Sequence, residues 1–140
     1  MWIELLLFLF LGVCAVFDGL YRQIPLIVVW LGMLTAVCLQ VYGAMGETGI
    51  FPAAVSLIPG LGFFLLSFFS GEKVGYGDGW TLLMIGLFLG PYRCFLTLLA
   101  GLLAESAAAV VLLMLKKIQR DEEIPFVPFL LLGMGVAVCL

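Results

Sequence analysis

Two aspartates hold the chemistry that this sequence offers: Asp18, which closes the first apolar stretch, and Asp78, which opens a later one inside Gly75-Tyr76-Gly77-Asp78. An ionised carboxylate beside hydrocarbon is costly, and only 11% of the 140 residues are charged, so two acids in comparable places point to a shared task. A pair of carboxyls sharing one proton can hydrolyse a peptide bond without metal, cysteine or histidine. One, as carboxylate, draws a proton from water; the other, protonated, polarises the carbonyl and then supports the leaving amine. The pair titrates as a unit, so the proton belongs to neither residue alone. Taken singly, each acid also has a plain structural reading as a helix end in the headgroup layer, with Asp78 placed as an N-cap. The glycines shift the balance. Gly75, Gly77 and Gly79 clear side chains from alternate backbone units beside Asp78, room that an N-cap does not need and an extended peptide would use.

Other chemistries start poorly. The chain has no histidine, and its cysteines at 14, 38, 94 and 139 form no CxxC pair, so the usual spacings for zinc, redox or thiol-nucleophile work are missing. Neither a metal nor a cofactor is expected. Each cysteine reads as an apolar filler, and Cys14, four residues before Asp18, shares its helical face. The net charge of −3 is confined to short segments between apolar runs, and no basic face for nucleic acid exists.

The elements that must position the aspartates follow from composition. With 65% hydrophobic residues and a mean hydropathy of +1.30, the chain reads as an all-α, polytopic integral membrane protein, one domain over 1–140. Six apolar stretches are candidate transmembrane helices: Trp2 to Phe17, Leu26 to Tyr42, Ile50 to Ser70, Trp80 to Gly90, Tyr92 to Leu115 and Ile124 to Leu140. The fourth covers only about 16 Å, so it must be tilted, enclosed by its neighbours or joined to flanking residues. The first carries Glu4, no basic start and no small-x-small cleavage site, and is expected to be a retained helix rather than a signal peptide. Arg22, Lys73, Lys116, Lys117 and Arg120 fall in alternate loops, with Arg93 alone in the opposite set. The excess of positive charge puts the first set in the cytoplasm and both termini outside. Asp18 and Asp78 then lie at the cytoplasmic ends of their helices, at similar depth.

Four segments, in order, resemble the prepilin peptidase family of GxGD membrane aspartyl proteases. Gly75-Tyr76-Gly77-Asp78 is similar to the GxGD signature. Asp18-Gly19-Leu20-Tyr21-Arg22-Gln23-Ile24-Pro25 resembles the first catalytic segment, Glu72 falls where the family often has an acid, and Ile124-Pro125-Phe126-Val127-Pro128-Phe129 looks like the opening of the last helix. The resemblance implies an aspartic-type endopeptidase that needs no cofactor, with Asp18 and Asp78 catalytic and with Glu72, Gly75, Gly77, Pro125 and Pro128 shaping the site or binding substrate. It implies a prepilin-like substrate, whose short basic leader ends in glycine before an apolar helix, and a bacterial or archaeal cell membrane with the site toward the cytoplasm. The chain departs from the pattern at Leu26, Trp80 and Val127, where the family usually has asparagine, lysine and glycine. The large loop with paired CxxC motifs that accompanies methyltransferase activity is absent, so no methylating role is implied.

The remaining polar and small residues have two readings each. Glu105 stands about 16 Å into its stretch, where an acid is a functional candidate by default, but a bond to a neighbouring helix through Ser67 or Thr97 accounts for it as well. Gly101, Ala104 and Ala108 read as a small-residue packing face, as do Gly60 and Gly62, while Pro52 and Pro59 bend or start the third stretch. Pro125 and Pro128 either start the last helix or free backbone groups to pair with a substrate. The competing function is a noncatalytic transporter or scaffold whose aspartates bind a cation or proton; a GxGD protease for other membrane helices is a third.

Overall fold

The computed structural model describes residues 1–43, 54–71, 75–117, 119 and 123–140; Pro52, Glu72, Lys73 and Arg120 lie outside the described residues. Among the described residues the chain is helical, with no strand. The helices are α1 (Trp2–Tyr21), α2 (Leu26–Val41), α3 (Ile58–Phe69), α4 (Tyr76–Met114) and α5 (Val127–Cys139). Helix α1 stops where Arg22 turns left-handed, at φ 52 and ψ 29, and its N–H donates back to the Asp18 carbonyl at 2.9 Å. Pro25 cannot continue that helix and begins the next, its carbonyl accepting from Val28 and Val29. Pro59 sits in the first turn of α3, the initiating use expected of it.

Helix α4 is 39 residues long but is two helices, because Gly90 interrupts it at φ 79 and ψ 175, a conformation essentially restricted to glycine. The break reverses the chain. Cys94 Sγ lies 3.7 Å from the Leu82 carbonyl oxygen, whereas an unbroken helix would separate those residues by about 18 Å. Pro91 leaves the Leu87 carbonyl without its usual donor four residues on, and the Gln40 side-chain amide of α2 fills the vacancy at 2.8 Å. The first half of this hairpin, 76–89, holds a nearly continuous buried run of Gly79 and Thr81 through Phe88. The short fourth stretch of the sequence is therefore the central helix, enclosed by its neighbours.

Close backbone approaches lock the bundle. A Cβ on Gly133 of α5 would run into the Thr97 carbonyl and lie 2.8 Å from the Gly101 amide nitrogen, so α5 crosses the second half of α4 glycine on glycine. Gly60 makes room for Leu83, and Gly86 for the Ser56 carbonyl. Gly62 does not behave as the sequence suggested: nothing lies within 4 Å of where its Cβ would be, because it faces away from the hairpin. Leu7, Leu11, Val29, Leu82, Met84, Ile85, Leu130 and Met134 fill the core, while Leu9, Trp30, Phe69 and Leu103 lie exposed on the outside. Among the described residues two helices, Trp2–Tyr21 and Tyr76–Met114, are long and apolar enough to cross a membrane; of the second, residues 91–114 alone measure about 36 Å.

Gly133→Val should cost about 1–3 kcal/mol by forcing α5 off α4, whereas Gly62→Ala should be neutral or slightly stabilising. Thermal unfolding in one detergent checks both, and equal midpoints for the two variants would contradict the glycine crossing.

Candidate active site

Asp18 lies in the last turn of α1 and is only 7% exposed. Its Oδ2 accepts the Val127 N–H at 3.0 Å, and the Phe126 amide also bonds the same carboxylate. The local sequence explains this. Phe129 and Leu130 donate to the Phe126 carbonyl, and Pro128 has no N–H, so the first amides of α5 are left for an outside acceptor. No side chain of its own caps α5, and Asp18 does so from another helix. An acid at a helix C-terminus is unfavourably placed by the helix dipole, and the positive N-terminal end of α5 offsets this. Two readings of the prolines are thereby corrected. Pro128, not Pro125, occupies the first turn, and the freed Val127 amide bonds Asp18, leaving it unavailable to a substrate strand. Pro125 precedes the helix and lines the cavity described next. Phe126 anchors the turn by stacking on Phe63 of α3, with ring centroids 5.6 Å apart.

Asp78 sits in the first turn of α4, its N–H donating to the Gly75 carbonyl at 3.1 Å. The glycines around it serve the chain's own side chains. A Cβ on Gly75 would come 3.3 Å from Asp78 Oδ2, so this glycine leaves the carboxylate free to turn. A Cβ on Gly77 would stand 2.7 Å from Ile24 Cδ1, so the space cleared there is filled by the isoleucine of Ile24-Pro25. Gly79 meets Phe64 at ordinary contact distance. The expectation that these glycines hold open a path for a peptide is therefore revised at Gly77: it locks the loop after α1 onto the first turn of α4.

Asp18 and Asp78 face one cavity of about 510 Å³. Gly75, Gly77 and Pro125 also line it, and Glu72 lies outside the described residues. Two further acids join them, Glu105 and Glu123, with Arg22 as the one basic residue on the lining among the described residues. Of the two sequence readings of Glu105, a functional candidate or an acid bonded to a neighbouring helix, its place on this lining agrees with the first. Thr97, offered as its partner, donates instead to the Arg93 carbonyl of its own helix at 2.8 Å. The hairpin explains why it is here. Measured from Gly90 along the two halves of α4, Asp78 and Glu105 lie at ~18 and ~22 Å, so the reversal brings them level. The sequence placed the aspartates at a membrane boundary and Glu105 well inside; Asp78 and Glu105 line one cavity, about 18 and 14 Å short of the level of the helix end at Met114, because the two halves are of unequal length.

Cys14 is buried on the Asp18 face of α1 but does not line the cavity. Among the described residues no three of the cysteines and acids gather closely enough to hold a metal ion. The arrangement is that of two carboxyls from distant parts of the chain in one concave, partly apolar site, one of them fixed by backbone amides.

Asp18 thus has a structural use separable from any chemistry. Asp18→Ala should lower stability by about 1–2 kcal/mol through the lost cap on α5, with Asp18→Asn, which keeps an acceptor oxygen, losing less and Asp78→Ala least. The order of their unfolding midpoints checks this, and an Asp18→Ala protein as stable as wild type would refute the cap. No protein-family model matches the chain, and no curated protein or solved structure matches it either.

Proposed function

We propose that this chain is a membrane aspartic endopeptidase that removes the cytoplasmic leader from type IV prepilin-like proteins, with Asp18 and Asp78 as its catalytic pair. The observation that carries this reading is the meeting of the two aspartates in one cavity, although they belong to different helices and most of the first half of the chain separates them. The matching segments of the sequence supply the substrate class. In this reading a peptide enters between the two carboxyls with a water molecule. One carboxylate takes the water's proton as the oxygen attacks the scissile carbon, and the other carboxyl donates a hydrogen bond to the developing oxyanion. The proton then passes to the leaving amine. Asp18, held by Val127, is the stationary partner; Asp78, beside Gly75, has room to adjust.

The proposed setting is a bacterial or archaeal cell membrane, crossed six times when the halves of α4 are counted separately, with the lipid bilayer as the protein's surroundings. The apolar exterior supports it. Arg22 and the Lys116-Lys117 pair lie toward the cavity end, whereas Arg93 lies at the far end, tied to Glu4 at 2.7 Å. That imbalance favours a cavity facing the cytoplasm, and both termini, at the far end, would then be outside.

A second reading has one observation in its favour. Among the described residues four carboxyls face the cavity, more than peptide hydrolysis needs, and such a site could bind a proton or cation. It predicts that Glu105→Gln abolishes ion flux in vesicles and that prepilin leaders stay intact.

Co-expression with a candidate prepilin decides between them. The wild type should shorten the prepilin by its leader on a gel. Asp18→Asn and Asp78→Asn should each lower cleavage by at least about 10²-fold, the contribution expected of one general acid or base, while both variants still reach the membrane fraction. Near-normal cleavage by either variant would sink the proposal.

A further inference from the structure

Glu105 is the acid that chemistry at the aspartate pair leaves unused. It lies half-buried on the cavity lining, close enough to both aspartates for its charge to act on them. Its polar neighbours on α4 are spoken for: Thr81, Thr97 and Ser106 each donate to a carbonyl one turn back, and Arg93 is tied to Glu4. Glu105 itself accepts no hydrogen bond among the described residues. An acid without a partner on an apolar helix is costly, so its place there calls for a use. Its position is also fixed. Gly101, one turn earlier, is pressed against α5, where a Cβ would stand 3.1 Å from Leu130 Cδ2 and 3.3 Å from the Phe129 carbonyl oxygen, and the start of that same helix holds Asp18.

A peptide cut at the aspartates must be unwound there, and each N–H it frees needs an acceptor once it leaves water. The cavity wall offers little from its own backbone. It is built largely of helices, whose carbonyls are bonded internally, and the amides freed at the start of α5 already serve Asp18. With both aspartates engaged at the scissile bond, the side-chain acceptors left on the lining among the described residues are Glu105 and Glu123. Glu123 is exposed and competes with water, whereas Glu105 is half-buried, where a hydrogen bond contributes more. The spacing agrees. Asp78 and Glu105 differ by about 4 Å in level along the two halves of α4. An extended strand advances about 3.3 Å per residue, so one seated at the aspartates meets Glu105 within about two residues.

We infer that Glu105 is a substrate-positioning residue: its carboxylate accepts one backbone N–H of the extended peptide within two positions of the scissile bond, and so sets the strand's register against Asp18 and Asp78. This rests on the peptidase reading and adds how that site holds its substrate. Because the bond is to the backbone, it selects an unwound chain and no particular side chain. A carboxylate acceptor makes the bond stronger than one to a neutral oxygen.

The test uses the full-length protein in detergent and quenched fluorescent peptides spanning a prepilin leader junction. In these each backbone N–H within two residues of the scissile bond, that bond itself excepted, is replaced in turn by an ester oxygen. One such peptide should be cut by the wild type about tenfold or more poorly in kcat/KM than the all-amide peptide, and the others by less than about threefold. In Glu105→Ala the all-amide peptide should fall by a similar factor, and that one ester should then cost less than about twofold, because its N–H no longer has a partner to lose. Glu105→Gln, which keeps an acceptor oxygen, should retain most of the discrimination. Glu105→Leu, suited to an apolar helix, takes the place of Glu105→Ala if that variant does not reach the membrane fraction. An ester penalty undiminished in Glu105→Ala, or absent at every position in the wild type, would overturn the assignment, and so would a Glu105→Gln protein without discrimination, which would give the role to charge. Asp78→Asn run alongside separates the two levels of failure. If the wild type cuts, Asp78→Asn does not, and the ester pattern fails, the role of Glu105 alone is wrong. If no peptide is cut, or Asp78→Asn cuts normally, the peptidase reading falls and this assignment with it.

Discussion

The reversal at Gly90 is the constraint on which the rest of this structure depends. Without it, Tyr76–Met114 would be a single rod of about 58 Å, Asp78 and Glu105 would stand at distant points along it, and no central helix would exist. Glycine supplies the backbone conformation and Pro91 prevents the helix from closing over the break. The cost of that pair is an unmatched carbonyl at Leu87, which in apolar surroundings is worth a few kcal/mol, and Gln40 meets it from α2. Gln40, on a mostly apolar helix, is thus explained by a proline on another helix.

The same logic governs Asp18. Its backbone carbonyl ends α1 by accepting from Arg22, and its carboxylate begins α5 by accepting from Val127, so one residue closes one helix and caps another. A charged group in an apolar bundle is tolerated where each lone pair finds a donor, and the start of α5, thinned of donors by Pro128, leaves the needed amides available. An acid fixed in this way holds the start of α5 in register with the end of α1.

The sequence made the helices and their breaks legible because apolar runs and Gly-Pro punctuation are local signals: the stretch ending at Gly90 and the one beginning at Tyr92 are the two arms of the hairpin. It also marked Asp18 and Asp78 as a pair, since acids are scarce here. The partners of each glycine were not legible, being tertiary. Gly77 and Ile24 are far apart in the chain, and nothing local says that the clearance at Gly77 is filled by Ile24. That Glu105 shares a cavity with the aspartates was not legible for a related reason. Depth was counted from Lys116 along one helix, whereas the depth that matters is counted from Gly90 along two, and only the folded hairpin supplies that origin.

Counting from Gly90 also bears on how a substrate would have to present itself. Asp78 lies about 18 Å inside the level of the end of the longer arm of α4. The cavity that both carboxyls line holds about 510 Å³ and opens to the outside. A peptide still coiled would fill that space with its own side chains and keep its carbonyls bonded along its axis, out of reach of both carboxyls. An unwound strand of a few residues fits the same volume with its carbonyls exposed, and the backbone bonds it gives up can be replaced only by water or by polar groups at the recess. The geometry therefore favours chains that are already extended at the membrane edge over segments that are stable helices throughout, because unwinding the latter adds a cost that neither aspartate offsets.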